Sequence, residues 1–219
     1  MNCNVISTGS IGNAVMIGRF LVDCGVSFKK LAPFAQNLDL VLLTHRHGDH
    51  FKKSTVQRLA KERPTLRLAM GEHMLPLVDG LVPARCIDIM EPGLEYWYRI
   101  PDGYATISPF QIQHDVKNFG YFMTFLPDVG TPFKVFYATD TGTLDGVTAK
   151  DYDLYLIEAN YLEEELLARE SDKLAAGEFS YESRAAANHL SSEQASAWLA
   201  DNAGPNSRVI WLHQHKDRK

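Results

Sequence analysis

The sequence contains little that would suit an exported or membrane-embedded protein. Its three cysteines, Cys3, Cys24 and Cys86, are an odd and scattered set without CxxC spacing. We therefore expect reduced thiols and a cytoplasmic location rather than a disulfide framework, with Cys24 in the core. No apolar run approaches the roughly 18–20 residues that span a bilayer. The first six residues also lack a basic stretch leading into an apolar segment, so we expect neither a secretion signal nor a membrane partner.

An excess of positive charge is absent as well. The net charge of −5 argues against a protein that coats nucleic acid through a broad basic surface. Internal repeats, low-complexity tracts and clear linkers are also missing, and 219 residues are enough for one large core. The sequence therefore predicts a single domain over residues 1–219.

The hydrophobic pattern predicts many short strands and a few helices. A buried strand is expected over residues 38–44, followed by a helix over 54–63. Two long helical stretches, 162–176 and 181–201, precede a last buried strand over 208–212. Ten further strands are expected over residues 1–7, 14–17, 19–24, 66–70, 86–90, 96–100, 104–113, 120–126, 134–139 and 154–159. This order is typical of one α/β domain with two sheets between helical layers.

The segment from Thr44 to His50 carries the clearest chemical signal. It places three histidines and an aspartate in six residues, between an apolar strand and an amphipathic helix: His45, His47, Asp49 and His50. In an extended chain His45 and His47 point to the same side, because side chains alternate along a strand. Imidazole nitrogens and carboxylates are the ligands that zinc, iron and manganese accept. The pattern therefore predicts a metal site.

This segment resembles the signature of the metallo-β-lactamase superfamily, and other motifs of that superfamily follow in order. His114, Asp140 and His213 each end a predicted strand and resemble the third metal motif, the bridging aspartate and the final ligand. Asp23 resembles the early aspartate that supports the metal loop from behind. The resemblance implies a four-layer αββα sandwich with its metals at the open edge between the sheets.

The resemblance also implies a cofactor and a nucleophile. Two divalent ions are expected, Zn²⁺ first, with Mn²⁺ or Fe²⁺ as alternatives. The implied ligands are His45, His47 and His114 for one ion, Asp49, His50 and His213 for the other, and Asp140 for both. A water or hydroxide between the ions would attack, and Asp49 could orient it or shuttle a proton. His215 competes with His213, which is favoured because it directly follows the apolar strand.

Two features favour phosphate esters over β-lactams as substrates. Asp140 stands where the best-known zinc lactamases usually carry cysteine, and the phosphodiesterase and glyoxalase II branches share such an aspartate. The segment from Asn188 to Ser191 resembles one in tRNase Z-like enzymes, whose histidine assists the leaving group, so His189 is a catalytic candidate. Residues 7–14 and 158–161 resemble a small bacterial branch linked to DNA exonuclease activity. For residues 7–14 themselves we expect a plain glycine-rich hairpin without a chemical role.

Other segments depart from these nucleases. No counterpart of the tRNase Z exosite arm is evident, and a β-CASP domain does not fit within 219 residues. Residues 163–173 are too acidic for a nucleic-acid clamp, so we expect a solvated helix, with a lid or dimer contact as alternatives. His73 is expected in a surface helix.

The sequence thus predicts a phosphodiesterase acting on nucleic-acid ends or small nucleotides, with a homodimer as one option for its assembly. Two alternatives stay open. One is a thioester or lactone hydrolase of the glyoxalase II type, and the other is a non-catalytic nucleotide-binding module.

Overall fold

The computed structural model describes residues 1–177, 180 and 182–214, and within them the strands form two six-stranded sheets. The strands of the first sheet lie in chain order: β1 (Cys3–Ser7), β2 (Ala14–Ile17), β3 (Phe20–Val22), β4 (Leu40–Leu43), β5 (Arg67–Gly71) and β6 (Ile87–Met90). The first three pair antiparallel, whereas β3 to β6 pair parallel. The carboxyl ends of β3 to β6 therefore meet at one edge of the sheet.

The second sheet has the same number of strands, in the reverse spatial order. Its strands are β7 (Tyr96–Ile100), β8 (Gly103–Ile112), β9 (Asn118–Pro127), β10 (Phe133–Ala138), β11 (Leu154–Glu158) and β12 (Arg208–Leu212). Strands β7 to β10 pair antiparallel, and β10, β11 and β12 pair parallel. Residues that follow β10, β11 and β12 consequently share one edge as well.

The core lies between the sheets. Phe20 of the first sheet packs on Phe125 of the second, with ring centroids 5.4 Å apart. The buried hydroxyl of Tyr121 donates a hydrogen bond to the carbonyl oxygen of Leu43 across the same interface, at 2.7 Å. Burying a large aromatic ring in this way removes enough apolar surface to stabilise the fold by about 2–3 kcal/mol per side chain.

Helices cover the outer face of each sheet. The first sheet packs against α1 (Phe28–Leu31), α2 (Lys53–Glu62) and α3 (Leu75–Val78). The second packs against α6 (Ser192–Asn202), where Trp198 stacks on Phe136 with centroids 4.7 Å apart. The predicted four-layer αββα sandwich is therefore confirmed. No helix within the described ranges is long and apolar enough to cross a bilayer.

The late helical region differs from its prediction. One helix over 181–201 was expected, and residue 181 lies outside the described residues. The structure instead has α5 (Glu182–Asn188), a break, and α6. Ser191 restarts the helix through a capping box: its hydroxyl accepts from the Gln194 amide at 3.0 Å, and the Gln194 side chain accepts from the Ser191 amide at 2.9 Å. His189 directly follows the last residue of α5, and its amide donates to the Ala185 carbonyl oxygen at 2.9 Å.

Two smaller expectations concern exposed segments. The helix expected over 162–176 is present as α4 (Glu163–Ala175), and Leu166 is its buried residue. His73 lies in a short 3₁₀ helix, Glu72–Met74, but it is half-buried rather than on the surface as expected. Its ring packs edge-on against Phe119, with centroids 5.0 Å apart, and this contact keeps it out of solvent. Cys24 is fully buried, as expected.

Candidate metal centre

The predicted site residues lie at the edge where the carboxyl ends of the parallel strands meet. Asp23 follows β3, the metal loop (residues 44–50) follows β4, and His213 follows β12. Asp23, Asp140 and His213 have positive φ values of 61°, 57° and 48°, a conformation that residues other than glycine adopt rarely. Such sharp turns at strand ends are costly and cluster at functional sites, so they point to side chains held in a required place.

Three histidines form the first cluster: His45, His47 and His114. His45 Nε2 lies 3.1 Å from His47 Nδ1, and His114 Nε2 lies 3.2 Å from the same His47 nitrogen. Tetrahedral ligands at zinc–nitrogen distances of about 2.0–2.1 Å would be about 3.3 Å apart. The two distances to His47 therefore match the separation of ligands around one small cation, and all three nitrogens lie within 4.8 Å of one another.

Two carboxylates and two histidines form the second cluster: Asp49, His50, Asp140 and His213. Asp140 Oδ2 lies 2.9 Å from His50 Nε2, and Asp140 Oδ1 lies 3.6 Å from His213 Nε2. Asp49 Oδ2 lies 3.7 Å from His50 Nε2 and 3.8 Å from His213 Nε2. The cluster brings together residues from three separate strand ends, and Asp140 belongs to this cluster.

Asp23 supports both clusters from behind. Its fully buried carboxylate lies 2.7 Å from His50 Nδ1 and accepts hydrogen bonds from the amide and the hydroxyl of Thr44, at 2.9 Å each. The Thr44 hydroxyl lies 3.0 Å from His45 Nδ1. Partners of this kind fix the tautomer and the orientation of ligand histidines. This is the place that the sequence assigned to Asp23.

The charges in the second cluster favour a bound cation. Burial alone would lower the pKa of His213, but Asp140, Asp49 and Glu158 outweigh burial and raise it to about 10. Burial likewise opposes protonation of His50, yet Asp140 and Asp23 raise its pKa well above the usual range. Protons thus balance buried negative charge here. His213 Nε2 is buried and lacks a hydrogen-bond partner among the described residues, as a vacant ligand nitrogen would. The donor set therefore fits a divalent cation.

A turn near the N-terminus supports the second cluster. This glycine turn (residues 7–13) ends at Asn13, whose side-chain nitrogen lies 2.7 Å from His50 Nε2 and 3.3 Å from Asp49 Oδ2. The Thr8 hydroxyl accepts a hydrogen bond from the His213 amide at 2.7 Å. The turn is thus more than the plain hairpin that the sequence indicated.

The third group combines Glu158 with two histidines. Glu158 Oε1 lies 2.6 Å from His189 Nδ1 and 3.3 Å from His213 Nδ1, and Oε2 accepts from the Thr141 amide at 3.0 Å. The sequence pattern indicated His189 as a catalytic candidate, but it offered Glu158 only as a family marker. The available signal was an acidic residue, fully buried in the structure, that ends the apolar strand β11.

Members of all three groups line one cavity of about 420 Å³. Its lining includes Ser10, Asp49, His114, Asp140, His189 and His213. At the rim Arg184 pairs with Asp115 at 2.8 Å, and Asp115 in turn lies 3.3 Å from His47 Nε2. The structure thus brings together all seven residues predicted as ligands, and both predicted catalytic residues, Asp49 and His189. His215, the alternative to His213, lies outside the described residues.

Close backbone packing under the metal loop leads to a stability prediction. A Cβ at Gly25 would lie 1.6 Å from the carbonyl oxygen of Asp49, whereas a Cβ at Gly48 would meet nothing within 4 Å. We expect Gly25→Ala to lower the free energy of unfolding by more than about 2 kcal/mol. Gly48→Ala lies in the metal loop itself, and we expect it to change the free energy of unfolding by less than about 1 kcal/mol. Urea unfolding of both variants checks this, and equal values would contradict it.

Comparisons with known proteins agree with this geometry. A family profile described as "Beta-lactamase superfamily domain" matches residues 18–214. The exodeoxyribonuclease WalJ of Streptococcus pneumoniae is 24% identical over 95% of this chain and 79% of its own length. Two solved structures share the fold: the metallo-β-lactamase fold protein YhfI of Bacillus subtilis (TM-score 0.67, 20% identity, 98% of this chain and 86% of that one), and human tRNase Z, short form (TM-score 0.66, 14% identity, 99% and 93%).

Proposed function

This chain belongs to the β-lactamase superfamily and is a metal-dependent hydrolase, and from that premise we propose that it cleaves phosphodiester bonds at nucleic-acid ends or in small nucleotides. The observation that carries the proposal is the shared cavity, in which two ligand clusters stand beside the Glu158–His189 pair. The names of two relatives, an exodeoxyribonuclease and a tRNase, support the same substrate class.

Two divalent ions would be held by the two clusters. We propose His45, His47 and His114 for one ion, Asp49, His50 and His213 for the other, and Asp140 as the ligand that reaches both. Five imidazoles and two carboxylates suit Zn²⁺ best, with Mn²⁺ or Fe²⁺ as alternatives. When bound, two such cations polarise a phosphoryl oxygen and lower the pKa of water.

Asp49 is the proposed proton acceptor for the attacking water. Its carboxylate lines the cavity, and its Oδ2 is 3.7 Å from His50 Nε2 and 3.8 Å from His213 Nε2. Burial would raise the pKa of Asp49, but the neighbouring imidazoles of His213, at 3.8 Å, and His50 outweigh burial and lower it. A carboxylate that stays ionised can accept a hydrogen bond from water and aim its oxygen at phosphorus.

His189 is the proposed proton donor to the leaving oxygen. Its Nδ1 is 2.6 Å from Glu158 Oε1, so the carboxylate fixes the ring and leaves Nε2 for the substrate. The ring stacks on His213, with centroids 4.9 Å apart and planes 29° from parallel. His189 therefore stands beside the second cluster, where a leaving oxygen would depart.

Metal-dependent turnover is the direct test of this function. Protein stripped with a chelator and reloaded with Zn²⁺ or Mn²⁺ should bind two equivalents and cleave bis(p-nitrophenyl) phosphate and a labelled single strand. Elemental analysis gives the stoichiometry, and absorbance and gel assays give the rates. S-lactoylglutathione separates the thioesterase alternative, because a faster rate on it than on diesters would favour that reading. Inactivity on every diester tried, with both equivalents bound, would refute the proposal.

Domain organisation, location and assembly also belong to this proposal. We propose one domain over residues 1–219, supported by a core that residues of both sheets share. A cytoplasmic location is supported by the three cysteines, all of which are unpaired thiols. A homodimer is an option that light scattering on the purified protein would decide.

A further inference from the structure

A second cavity adjoins the metal-centre cavity on the side of the first cluster. This second cavity, the exit groove (residues 111–117), has a volume of about 760 Å³. The two cavities share His114 and Asp115 in their linings, so they adjoin at the first cluster. Gln111 and Gln113 are exposed along the groove and offer amide groups to a ligand.

One exposed cation lines the exit groove and another lies in the metal loop. Lys117 lines the groove, and its ammonium lies 5.8 Å from the centre of the Phe119 ring. Arg46 is exposed in the metal loop, between the first-cluster residues His45 and His47. Neither cation has a carboxylate partner within the described part of the chain. Two unpaired cations beside a groove suit a ligand with repeated negative charge.

The opposite end of the metal-centre cavity is walled by the glycine turn. Ser10 lines the cavity there, and hydrogen bonds hold the turn on both sides. The Asn13 amide donates to the Asp49 carbonyl oxygen at 2.6 Å, and the Gly9 amide donates to Asn13 Oδ1 at 2.8 Å. The glycine turn therefore closes one side of the metal-centre cavity, and the exit groove adjoins that cavity on the side of the first cluster.

The reacting groups are recessed behind this opening. His45 and His50 are fully buried, and Asp140 is only 3% exposed. A scissile phosphate must enter the cavity to reach them. A single strand can rotate its backbone to do so, whereas a stacked duplex must first be opened at an energetic cost.

From this polarity we propose that the substrate is the end of a single-stranded nucleic acid, held with its terminus against the glycine turn and its chain leaving along the exit groove past Lys117 and Arg46. This inference rests on the proposed function, which it makes more specific. Each turnover would add one water across a P–O bond near the terminus, giving a phosphomonoester on one product and a hydroxyl on the other. Backbone phosphates beyond the cut would contact the two cations.

Charge reversal tests the path of the strand. The variant Arg46→Glu/Lys117→Glu is compared with Lys61→Glu/Arg85→Glu, which reverses two exposed cations away from the groove: Lys61 at the far end of α2 and Arg85 just before β6. Both variants change the net charge equally. We expect the ratio of kcat/KM on a labelled 20-nucleotide single strand to that on bis(p-nitrophenyl) phosphate to fall at least about 10-fold in the groove variant relative to the control. The slope of log binding against log salt should shrink by about 1.4, from about 0.7 per lost phosphate contact.

The remaining comparisons decide the polarity. A linear single strand should be shortened from its end, while a circular single strand and a blunt duplex should be cut at least about 10-fold more slowly. If the groove variant and the control had equal kcat/KM ratios, the strand would not leave along the exit groove. If the circular strand were cleaved as fast as the linear one, the glycine turn would not hold a terminus. Unmodified protein that cleaves bis(p-nitrophenyl) phosphate but prefers no polynucleotide would overturn this inference alone. Failure on every diester would instead refute the proposed function.

Discussion

Asp140→Asn is expected to abolish phosphodiester cleavage while leaving the protein folded. Asp140 sits 2.9 Å from His50 Nε2 and 3.6 Å from His213 Nε2, and these neighbours outweigh burial and hold its pKa well below the usual range. Asparagine keeps the shape and tolerates the positive φ of 57°, but it removes the charge that a bound cation would face. Losing an outer partner of a metal site alone costs about 10–100-fold, so loss of this ligand should exceed about 100-fold in turnover.

The control for this variant comes from another aspartate with unusual backbone geometry. Asp151 has a φ of 55° and is exposed, far from the site in the loop before β11. Asp151→Asn should keep both activity and metal, which separates a backbone effect from the loss of charge. Elemental analysis should find fewer than two bound equivalents in Asp140→Asn and two in the control. Full activity of Asp140→Asn with two metals bound would remove Asp140 from the ligand set.

The metal-site residues could be predicted because each follows a recognisable strand. His45 and His213 come directly or within two residues after strands whose parallel neighbours bring such ends to one edge, and His114 comes two residues after the antiparallel strand β8. Local patterns marked the candidate residues, and the resemblance to the metallo-β-lactamase superfamily grouped them into two clusters. The two-sheet sandwich followed from the family resemblance, since strand order alone does not decide how two sheets pair.

Residues whose roles depend on distant partners could not be predicted in the same way. Glu158 meets His189 from 31 positions away, and Asn13 meets Asp49 from 36 positions away. Neither contact leaves a periodic signal in the chain. The helix break that positions His189 was readable, because Ser191 and Gln194 have the spacing of a capping box, but the alanine-rich stretch around it favoured one continuous helix. The capping box at Ser191 thus outweighed the helix propensity of the surrounding alanines.

His189→Ala is expected to lower turnover of a nucleic-acid substrate by about 10²–10⁴-fold, the usual worth of a general acid. The loss should depend on the leaving group. A sugar alkoxide needs a proton as it departs, whereas p-nitrophenolate does not, so cleavage of bis(p-nitrophenyl) phosphate should fall by less than about 10-fold. A merely structural role for His189 would lower both rates alike.

The same leaving-group test assigns Glu158 as the positioning residue for His189. Glu158→Gln keeps the hydrogen bond to the Thr141 amide, at 3.0 Å, but weakens the 2.6 Å contact with His189 Nδ1. We expect the same selective loss, smaller than that of His189→Ala, and no further loss in the double variant, because the two act as a unit.

Glu158, His189 and His213 could also hold a cation among themselves, since their ligand atoms lie within 4.8 Å of one another. Metal stoichiometry decides between the two roles: two equivalents retained in His189→Ala support proton donation, and a lost equivalent would make His189 a ligand instead.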